Sequence, residues 1–225
     1  GRKSALTVDF FNSLLGRKSV GGASQYLGVF PESEAGVNDP LLREYQSAGR
    51  TLKVDRPEGL REIGSLALQG STLSMLFVAD ALRKGDGYKV DLEKSQGWYG
   101  HAASLGSGRA MYGLGLIHLA RSDIGNAIEA FEAAGERGRG VALWALGLLY
   151  EQGGGGISQD TDKARAHLER GASLGPVWSS RTLSILLMSG RYGTWPRLRG
   201  YATYLTGFVA APIAVARGRV DLIMR

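Results

Sequence analysis

The chain has 225 residues, of which 44% are hydrophobic and 21% are charged, so it can build a core and does not have the composition of a disordered chain. It contains no cysteine, which excludes disulfide bonds, thiolate metal sites and a catalytic cysteine. The net charge of +6 lies at the two ends: residues 1–30 sum to +3, residues 176–225 to +6, and the 16 basic and 19 acidic residues between them to −3. Basic ends indicate acidic proteins, anionic lipid or nucleic acid as neighbours, and ends that are merely solvated explain the charge equally well.

Residues 5–15 are predicted to form a short amphipathic helix that ends at Gly16. Its large apolar side chains fall on one face: Leu6, Phe10, Phe11, Leu14 and Leu15. A Gly-Arg-Lys-Ser segment flanks it on each side. We expect this helix to dock on the chain itself or on a partner, with contact to a membrane surface as the alternative. Residues 19–40 are rich in Gly and Pro and are typical of a loop, so residues 1–40 are predicted to be an N-terminal extension.

A degenerate pair of helices is predicted next, at about residues 41–49 and 56–69. Asp55 stands where the second helix needs an N-cap, and Pro57 suits its first turn. Terminal units of a repeat array usually diverge from the others. We therefore interpret this pair as an atypical first unit.

A unit of about 36 residues then repeats along the middle of the chain. Each unit opens on a small residue, continues through a turn to an aspartate, and closes on a glycine. The closing glycines are 36, 32 and 37 residues apart: Gly70, Gly106, Gly138 and Gly175. The predicted units are residues 41–70, 71–106, 107–138, 139–175 and a partial unit at 176–190. A period in this range indicates stacked two-helix units, here an array over residues 41–190.

In the first clear unit we predict helix A at about residues 72–84 and helix B at about 91–104. An aspartate recurs at the start of each helix B: Asp91, Asp123 and Asp160. N-capping explains the recurrence, because such a carboxylate accepts hydrogen bonds from the first-turn amides. A shared metal or catalytic role is not expected, since adjacent helices hold these positions about 10 Å apart.

Small residues recur wherever neighbouring helices must approach closely: Ala110, Ala142, Ser179, Gly115, Gly147, Ala102, Ala103, Ala134, Gly135, Gly171 and Ala172. Aromatic side chains are predicted to fill the space between these points: Trp98, Tyr112, Trp144 and Tyr150. Both sets are interpreted as packing residues.

These residues carry a resemblance to a known family. The segments Ala-Leu-Trp-Ala-Leu-Gly-Leu-Leu-Tyr at 142–150, Asp-Thr-Asp-Lys-Ala at 160–164 and Gly-Ala-Ser-Leu-Gly at 171–175 resemble Sel1-like repeats, a branch of the tetratricopeptide-type helical solenoids. The resemblance covers roughly residues 70–190, and the second unit departs from it because residues 120–123 leave no room for the usual Gly-x-Gly turn. It implies an all-α, right-handed α-solenoid (an α-α superhelix) of two-helix repeats, here with helical N- and C-terminal extensions. The resemblance also implies that the chain acts as a scaffold for other proteins. Some members of the family have a disulfide in each unit, which a chain without cysteine cannot form.

The sequence offers no credible active site, cofactor site or metal site. None of the three histidines, His101, His118 and His167, has a partner at metal-ligand spacing, and no strand–turn–helix context supports a nucleophile. The glycine run at 153–156 follows a helix and precedes no Lys-Ser or Lys-Thr pair, so it is interpreted as a turn and not as a phosphate-binding loop.

Three apolar residues occupy the position just after the opening small residue: Met75, Met111 and Leu143. The family commonly has a polar side chain there. We predict that they form a stripe along a groove that binds a helix or an extended peptide of a partner. The equal alternative is that the N-terminal segment of the same chain covers the stripe.

The C-terminal segment, residues 191–225, contains an uncharged run at 200–216. Arginines stand on both sides of the run and are predicted to bind a partner: Arg197, Arg199, Arg217 and Arg219. The run is expected to cap the array or to dock on a partner; interfacial membrane contact and a membrane span are the alternatives, although 17 residues broken by Pro212 are a short span. All seven cations after residue 175 are arginine, which favours an acidic partner, although GC-rich coding would produce the same bias.

Together these features predict a non-catalytic adaptor or accessory subunit of a multiprotein complex. The alternative is a membrane-peripheral structural or assembly subunit, attached through the basic C-terminal segment. Nucleic acid is not an expected partner, because the positive charge does not form a stripe. The lack of cysteine leads us to expect a reducing intracellular or organellar compartment, and the start at Gly1 is compatible with a removed leader.

Overall fold

The structure is a computed structural model that describes residues 39–153 and 155–174, together with Leu183 and Leu187. Across this part of the chain it contains eight helices of 13 residues each. They are α1 (Leu42–Val54), α2 (Arg56–Leu68), α3 (Thr72–Lys84), α4 (Leu92–Ser104), α5 (Gly108–Ala120), α6 (Ile124–Glu136), α7 (Gly140–Gln152) and α8 (Thr161–Ser173). The predicted N-terminal helix at 5–15 and the C-terminal segment at 191–225 lie outside the described residues.

The described residues fall into two compact units, 39–130 and 131–174, with the boundary inside α6. In the first unit, helices that follow one another in sequence pack together: α1 on α2, α2 on α3, α3 on α4 and α4 on α5. Helix α3 also contacts α1 and α5, so it lies against four neighbours. In the second unit α7 packs on α8.

Helices A and B of the first clear unit are confirmed as α3 and α4, with Asp91 at the N-cap of α4. The degenerate pair is also helical, but α1 continues to Val54 and does not end near residue 49. The last turn of α1 is held by packing, because Leu52 lies directly against Gly59 of α2. The predicted end at Gly49 was therefore wrong, since that glycine is tolerated inside the helix.

The aspartate caps are confirmed. The carboxylates of Asp55, Asp91 and Asp160 accept hydrogen bonds from backbone amides three residues later, at 3.1, 3.0 and 2.9 Å. Asp123 does the same at 3.4 Å and also accepts from the side-chain amide of Asn126 at 2.6 Å. Each cap satisfies a first-turn amide that the helix itself leaves unpaired.

The N-caps of the first helix in each repeat were not predicted from the sequence. Ser71 accepts from the amide of Ser74 at 3.1 Å, and Ser107 accepts from the amide of Ala110 at 3.2 Å. Asp39, inside the predicted loop, reinforces the first of these caps. Its carboxylate accepts from the Leu73 amide at 2.7 Å and from the Ser71 hydroxyl at 3.0 Å, and so ties the chain before α1 to the start of α3.

Gly147 and Gly135 allow close helix approach, as predicted, while Ser179 lies outside the described residues. A Cβ on Gly147 would lie 2.6 Å from Cγ of Leu168, and a Cβ on Gly135 would lie 2.5 Å from Cδ2 of Leu143. Ala102, Ala110, Ala134 and Ala142 are fully buried. Of the four predicted packing aromatics Tyr112 is buried, and Trp98, Trp144 and Tyr150 are partly buried.

The shortened turn of the second clear repeat, residues 107–138, is confirmed, and its backbone is strained. Only residues 121–123 separate α5 from α6, and Ser122 has a φ of 61°, in the left-handed region that favours glycine. We expect Ser122→Gly to raise the free energy of unfolding by about 1 kcal/mol, because glycine adopts this conformation without a Cβ clash. Urea titration measures the change.

Gly138→Ser is the matched reverse substitution. Gly138 has a φ of 79°, and a Cβ added to it would meet no atom within 4 Å, so only the backbone conformation opposes a serine there. The variant should lose stability by a similar amount. A Ser122→Gly protein no more stable than wild type would show that the turn is not strained.

Candidate interaction surface

The accessible side of helices α3 and α5 carries two rows of side chains. On α3 the row is Leu73, Phe77, Asp80 and Lys84, and on α5 it is Met111, Leu114 and His118. Each row follows the spacing of one helical face, and each of its members is at least partly exposed. We call these seven residues the α3–α5 face. The apolar members Phe77 and Leu114 pack on the same hydrophobic core, so they are anchored at one side and open at the other.

The predicted groove residues occupy different environments. Met75 is 8% exposed and Leu143 is 1% exposed, so both side chains belong to the core, while Met111 is half-buried. On α3 the half-exposed apolar residues are Leu73 and Phe77, two positions to either side of Met75. Met75 is covered because α3 packs against four helices, and Leu143 is covered because it lies against Gly135 of α6.

A binding role of these three residues stays a prediction. The same holds for Arg197, Arg199, Arg217 and Arg219 and for the run at 200–216, which lie outside the described residues. In the described part of the chain, no helix combines the length and apolar character that crossing a membrane requires.

Asp80 is the centre of a polar cluster that joins three helices. Its Oδ1 accepts a hydrogen bond from the hydroxyl of Tyr99 on α4 at 2.6 Å, and its Oδ2 accepts from Nη2 of Arg109 on α5 at 2.7 Å. On α3 itself, Arg83 Nη2 and Lys84 Nζ lie 3.5 and 4.0 Å from Oδ1. The Asp80 side chain is 20% exposed, so one edge of the cluster reaches the α3–α5 face.

The electrostatics of the cluster favour the ionised carboxylate. Burial alone would raise the pKa of Asp80, but the charges of Arg109, Lys84 and Arg83 and the Tyr99 hydrogen bond outweigh it and lower the pKa from 3.8 to about 2. Burial, followed by the Asp80 charge, raises the pKa of Tyr99. Tyr99 therefore stays a neutral hydrogen-bond donor, and Asp80 stays a charged acceptor, at every physiological pH.

Tyr99 also fixes how closely α4 and α5 pack. The residue is 1% exposed and its ring lies against Gly113, where any Cβ would overlap the ring. The sequence-based prediction missed both Tyr99 and Asp80. The available signal was a single carboxylate in an otherwise apolar helix A, followed by cations at i+3 and i+4.

The three histidines have separate surroundings. His118 Nδ1 lies 3.2 Å from Oδ2 of the capping Asp123, and His101 lies exposed beside Trp98 with ring centroids 6.4 Å apart. His167 stacks on Tyr150 at 5.5 Å between centroids, with the rings nearly parallel. Among the described residues, no three His, Asp or Glu side chains come together in a way that could hold a metal.

His167 makes the stability of the compact unit formed by residues 131–174 sensitive to pH. Burial lowers the pKa of His167, Arg170 and Lys163 lower it further, and Glu132 on α6 opposes them. Because its pKa is lower in the folded state, the unfolded chain binds more protons below about pH 6.5, so stability falls as the pH drops through that value. We expect His167→Phe, which keeps the stacking on Tyr150, to remove this loss. The measurement is the urea midpoint of both proteins at about pH 7.5 and about pH 5.5. If both proteins lost the same stability between these pH values, His167 would not be the cause of the loss.

Comparison with known proteins agrees with this architecture. The family described as Sel1 repeat matches residues 72–107, 108–132 and 140–176. The second match is the shortest of the three, and it falls in the unit with the tight α5–α6 turn. No curated protein sequence is similar enough to count as a match.

Two solved structures share the fold. A Sel1 repeat protein from Oxalobacter formigenes is 21% identical, with a TM-score of 0.64 over 96% of this chain and 92% of its own. A protective antigen of uropathogenic Escherichia coli strains, which displays an SLR fold, is 17% identical with a TM-score of 0.64 over 80% of this chain. This chain spans only 42% of the length of that antigen.

These likenesses confirm the predicted fold class, an all-α solenoid of two-helix repeats. Sel1 repeats generally mediate protein–protein interactions and are typically not catalytic. The three matched repeats, with the caps and close contacts that build them, confirm the predicted resemblance to the Sel1-like repeat family.

Proposed function

We propose that the chain is a non-catalytic scaffold or accessory subunit of a multiprotein complex, and that it holds a helix or an extended segment of a partner protein on the α3–α5 face. The observation that carries the proposal is the pair Phe77 and Leu114. Both side chains are partly exposed on neighbouring helices and pack on one core, which gives a partner an apolar platform.

The Asp80 cluster supports this role by holding the platform in place. Its hydrogen bonds connect α3, α4 and α5, so the spacing between the two rows of the face is fixed before any partner arrives. A binding surface that is already ordered loses less conformational entropy on association. Met111, the half-buried member of the predicted groove stripe, belongs to the same face and contributes to the same contact.

The alternative prediction, attachment to a membrane or organellar complex through residues 191–225, concerns residues outside the described part of the chain. It stays a prediction, as does the compartment.

Affinity capture from the native cells tests the proposal. The tagged full chain is compared with Met111→Glu and Leu114→Gln, and recovery of the bound protein is quantified by mass spectrometry. We expect recovery to fall about tenfold or more for both variants, because each places a polar group where the partner buries apolar surface.

Leu105→Glu is the matched control. Leu105 is 61% exposed at the end of α4, outside the α3–α5 face, so the same loss of an exposed leucine should leave recovery unchanged. Circular dichroism confirms that each variant is folded. Full recovery by folded Met111→Glu and folded Leu114→Gln would contradict the proposed surface.

A further inference from the structure

Charge is distributed unequally between the two kinds of helix in residues 39–130. The first helices of the units, α1, α3 and α5, carry six basic residues (Arg43, Arg50, Lys53, Arg83, Lys84 and Arg109) and two acidic ones (Glu44 and Asp80), a net charge of +4. The second helices α2 and α4 carry three basic residues (Arg56, Arg61 and Lys94) and three acidic ones (Glu58, Glu62 and Glu93), a net charge of zero. The positive charge is therefore concentrated on the helices that bear the proposed platform.

This concentration is not a property of the repeats in general, since residues 31–175 together have a net charge of −3. The three helices are also neighbours, because α3 contacts both α1 and α5. Their cations consequently add to one local field and are not scattered around the molecule.

Several of these cations are open to solvent. The side chain of Lys84 is 32% exposed and that of Arg109 is 23% exposed, while Arg43, Arg50 and Lys53 on α1 are exposed. Asp80 lies beside Arg83, Lys84 and Arg109, and the charge of Asp86 also acts on Lys84. The exposed lysine and arginine side chains of α1 and α3 are the cations that an approaching carboxylate meets beside the apolar platform.

From this juxtaposition we infer that the face formed by α1, α3 and α5 recognises an acidic protein segment, in which apolar side chains contact Phe77 and Leu114 and Asp or Glu side chains lie beside Lys84. The inference rests on the proposed function and specifies the partner's chemistry. A basic segment would be repelled by the net charge of +4. A nucleic acid would not use the apolar pair, so it is the less complete match.

A peptide library tests the inference even though the partner is unidentified. Short peptides with Leu, Phe, Glu or Lys at every position are selected on the immobilised full chain, and the bound fraction is sequenced. We expect Glu to be enriched over Lys by about threefold or more, with Leu or Phe at neighbouring positions, and the binding to weaken as salt is raised.

Charge reversal then locates the site. We expect Lys84→Glu and Arg50→Glu each to raise the Kd of the best selected peptide by about fivefold, because each turns an attraction into a repulsion. Lys94→Glu is the control: it makes the same change on α4, where the side chain is 74% exposed, and should alter the Kd by less than about twofold. Arg50 is exposed on α1, away from the Asp80 cluster, whereas Lys84 lies 4.0 Å from Asp80, so circular dichroism is used to show that Lys84→Glu is folded.

The outcomes separate the two proposals. If no peptide of either charge is retained, the proposed segment-binding function fails. If peptides are retained without enrichment of Glu, or if Lys84→Glu and Lys94→Glu behave alike, the platform stands and the inference about an acidic partner is overturned.

Discussion

Gly59→Ala is expected to lower the free energy of unfolding by about 3 kcal/mol, the upper part of the range for overpacking a tight core. A Cβ at this buried position would overlap the backbone of Leu52, so α1 and α2 would have to move apart. Backbone atoms cannot swing aside as a flexible side chain does. Urea unfolding followed by circular dichroism measures the change.

Gly97→Ala is its matched control. Gly97 lies exposed in the middle of α4, and a Cβ there meets no atom within 4 Å. The same substitution should therefore stabilise the protein by up to about 1 kcal/mol, because alanine is the better helix former. If both variants were equally stable, glycine at position 59 would not be required for the contact between α1 and α2.

Asp80→Asn is expected to lower the free energy of unfolding by about 2–3 kcal/mol, because it removes the anion that three cations and the Tyr99 hydroxyl share. Tyr99→Phe should lower the free energy of unfolding by about 2 kcal/mol, because it removes a hydrogen bond to a charged group. Asp86→Asn is the control: the pair Arg56–Asp86 is more than half exposed on both sides, so this change should cost less than about 0.5 kcal/mol.

The same cluster predicts an acid response. The pKa of Asp80 is lower in the folded state, at about 2, than its ordinary value of 3.8. Its contribution is therefore complete above about pH 4 and is lost as the pH falls toward 2. We expect wild type to lose more stability than Asp80→Asn over this interval. Parallel acid titrations of the two proteins would disprove the role of the Asp80 charge.

Much of the local structure follows from the sequence, because it depends on residues near one another in the chain. Asp91 caps α4 through an amide three residues later, and the spacing of small residues sets which helices approach closely. The tight turn at Ser122 was likewise visible in the length of the segment between two apolar helices.

Most of the candidate site could not be predicted from the sequence, because it depends on tertiary packing. Asp80, Tyr99 and Arg109 lie on three different helices, and only the packing of those helices brings the Tyr99 hydroxyl and the Arg109 guanidinium within 2.7 Å of the Asp80 carboxylate. The repeat also aligns Met75 with Met111, yet one is in the core and the other is half-buried. A repeat period gives equivalent positions on each helix, whereas the burial of each side chain depends on what packs against it in its own unit.

The asymmetry of charge has the same origin. In the linear sequence the six cations of α1, α3 and α5 are spread from residue 43 to residue 109, among acidic residues of α2 and α4. Only the contacts of α3 with α1 and α5 show that these helices are neighbours. Folding thus brings three helices with a net charge of +4 together within a region whose net charge is negative.

Site-specific photocross-linking tests whether a partner protein binds on the α3–α5 face. A photoreactive residue placed at Leu114 on the α3–α5 face is compared in the native cells with one placed at Leu105, which lies at the end of α4 outside that face. We expect Leu114 to cross-link to one discrete protein through an acidic segment and Leu105 not to cross-link to it. No cross-link at Leu114, or the same product from both positions, would show that the α3–α5 face is not the binding surface.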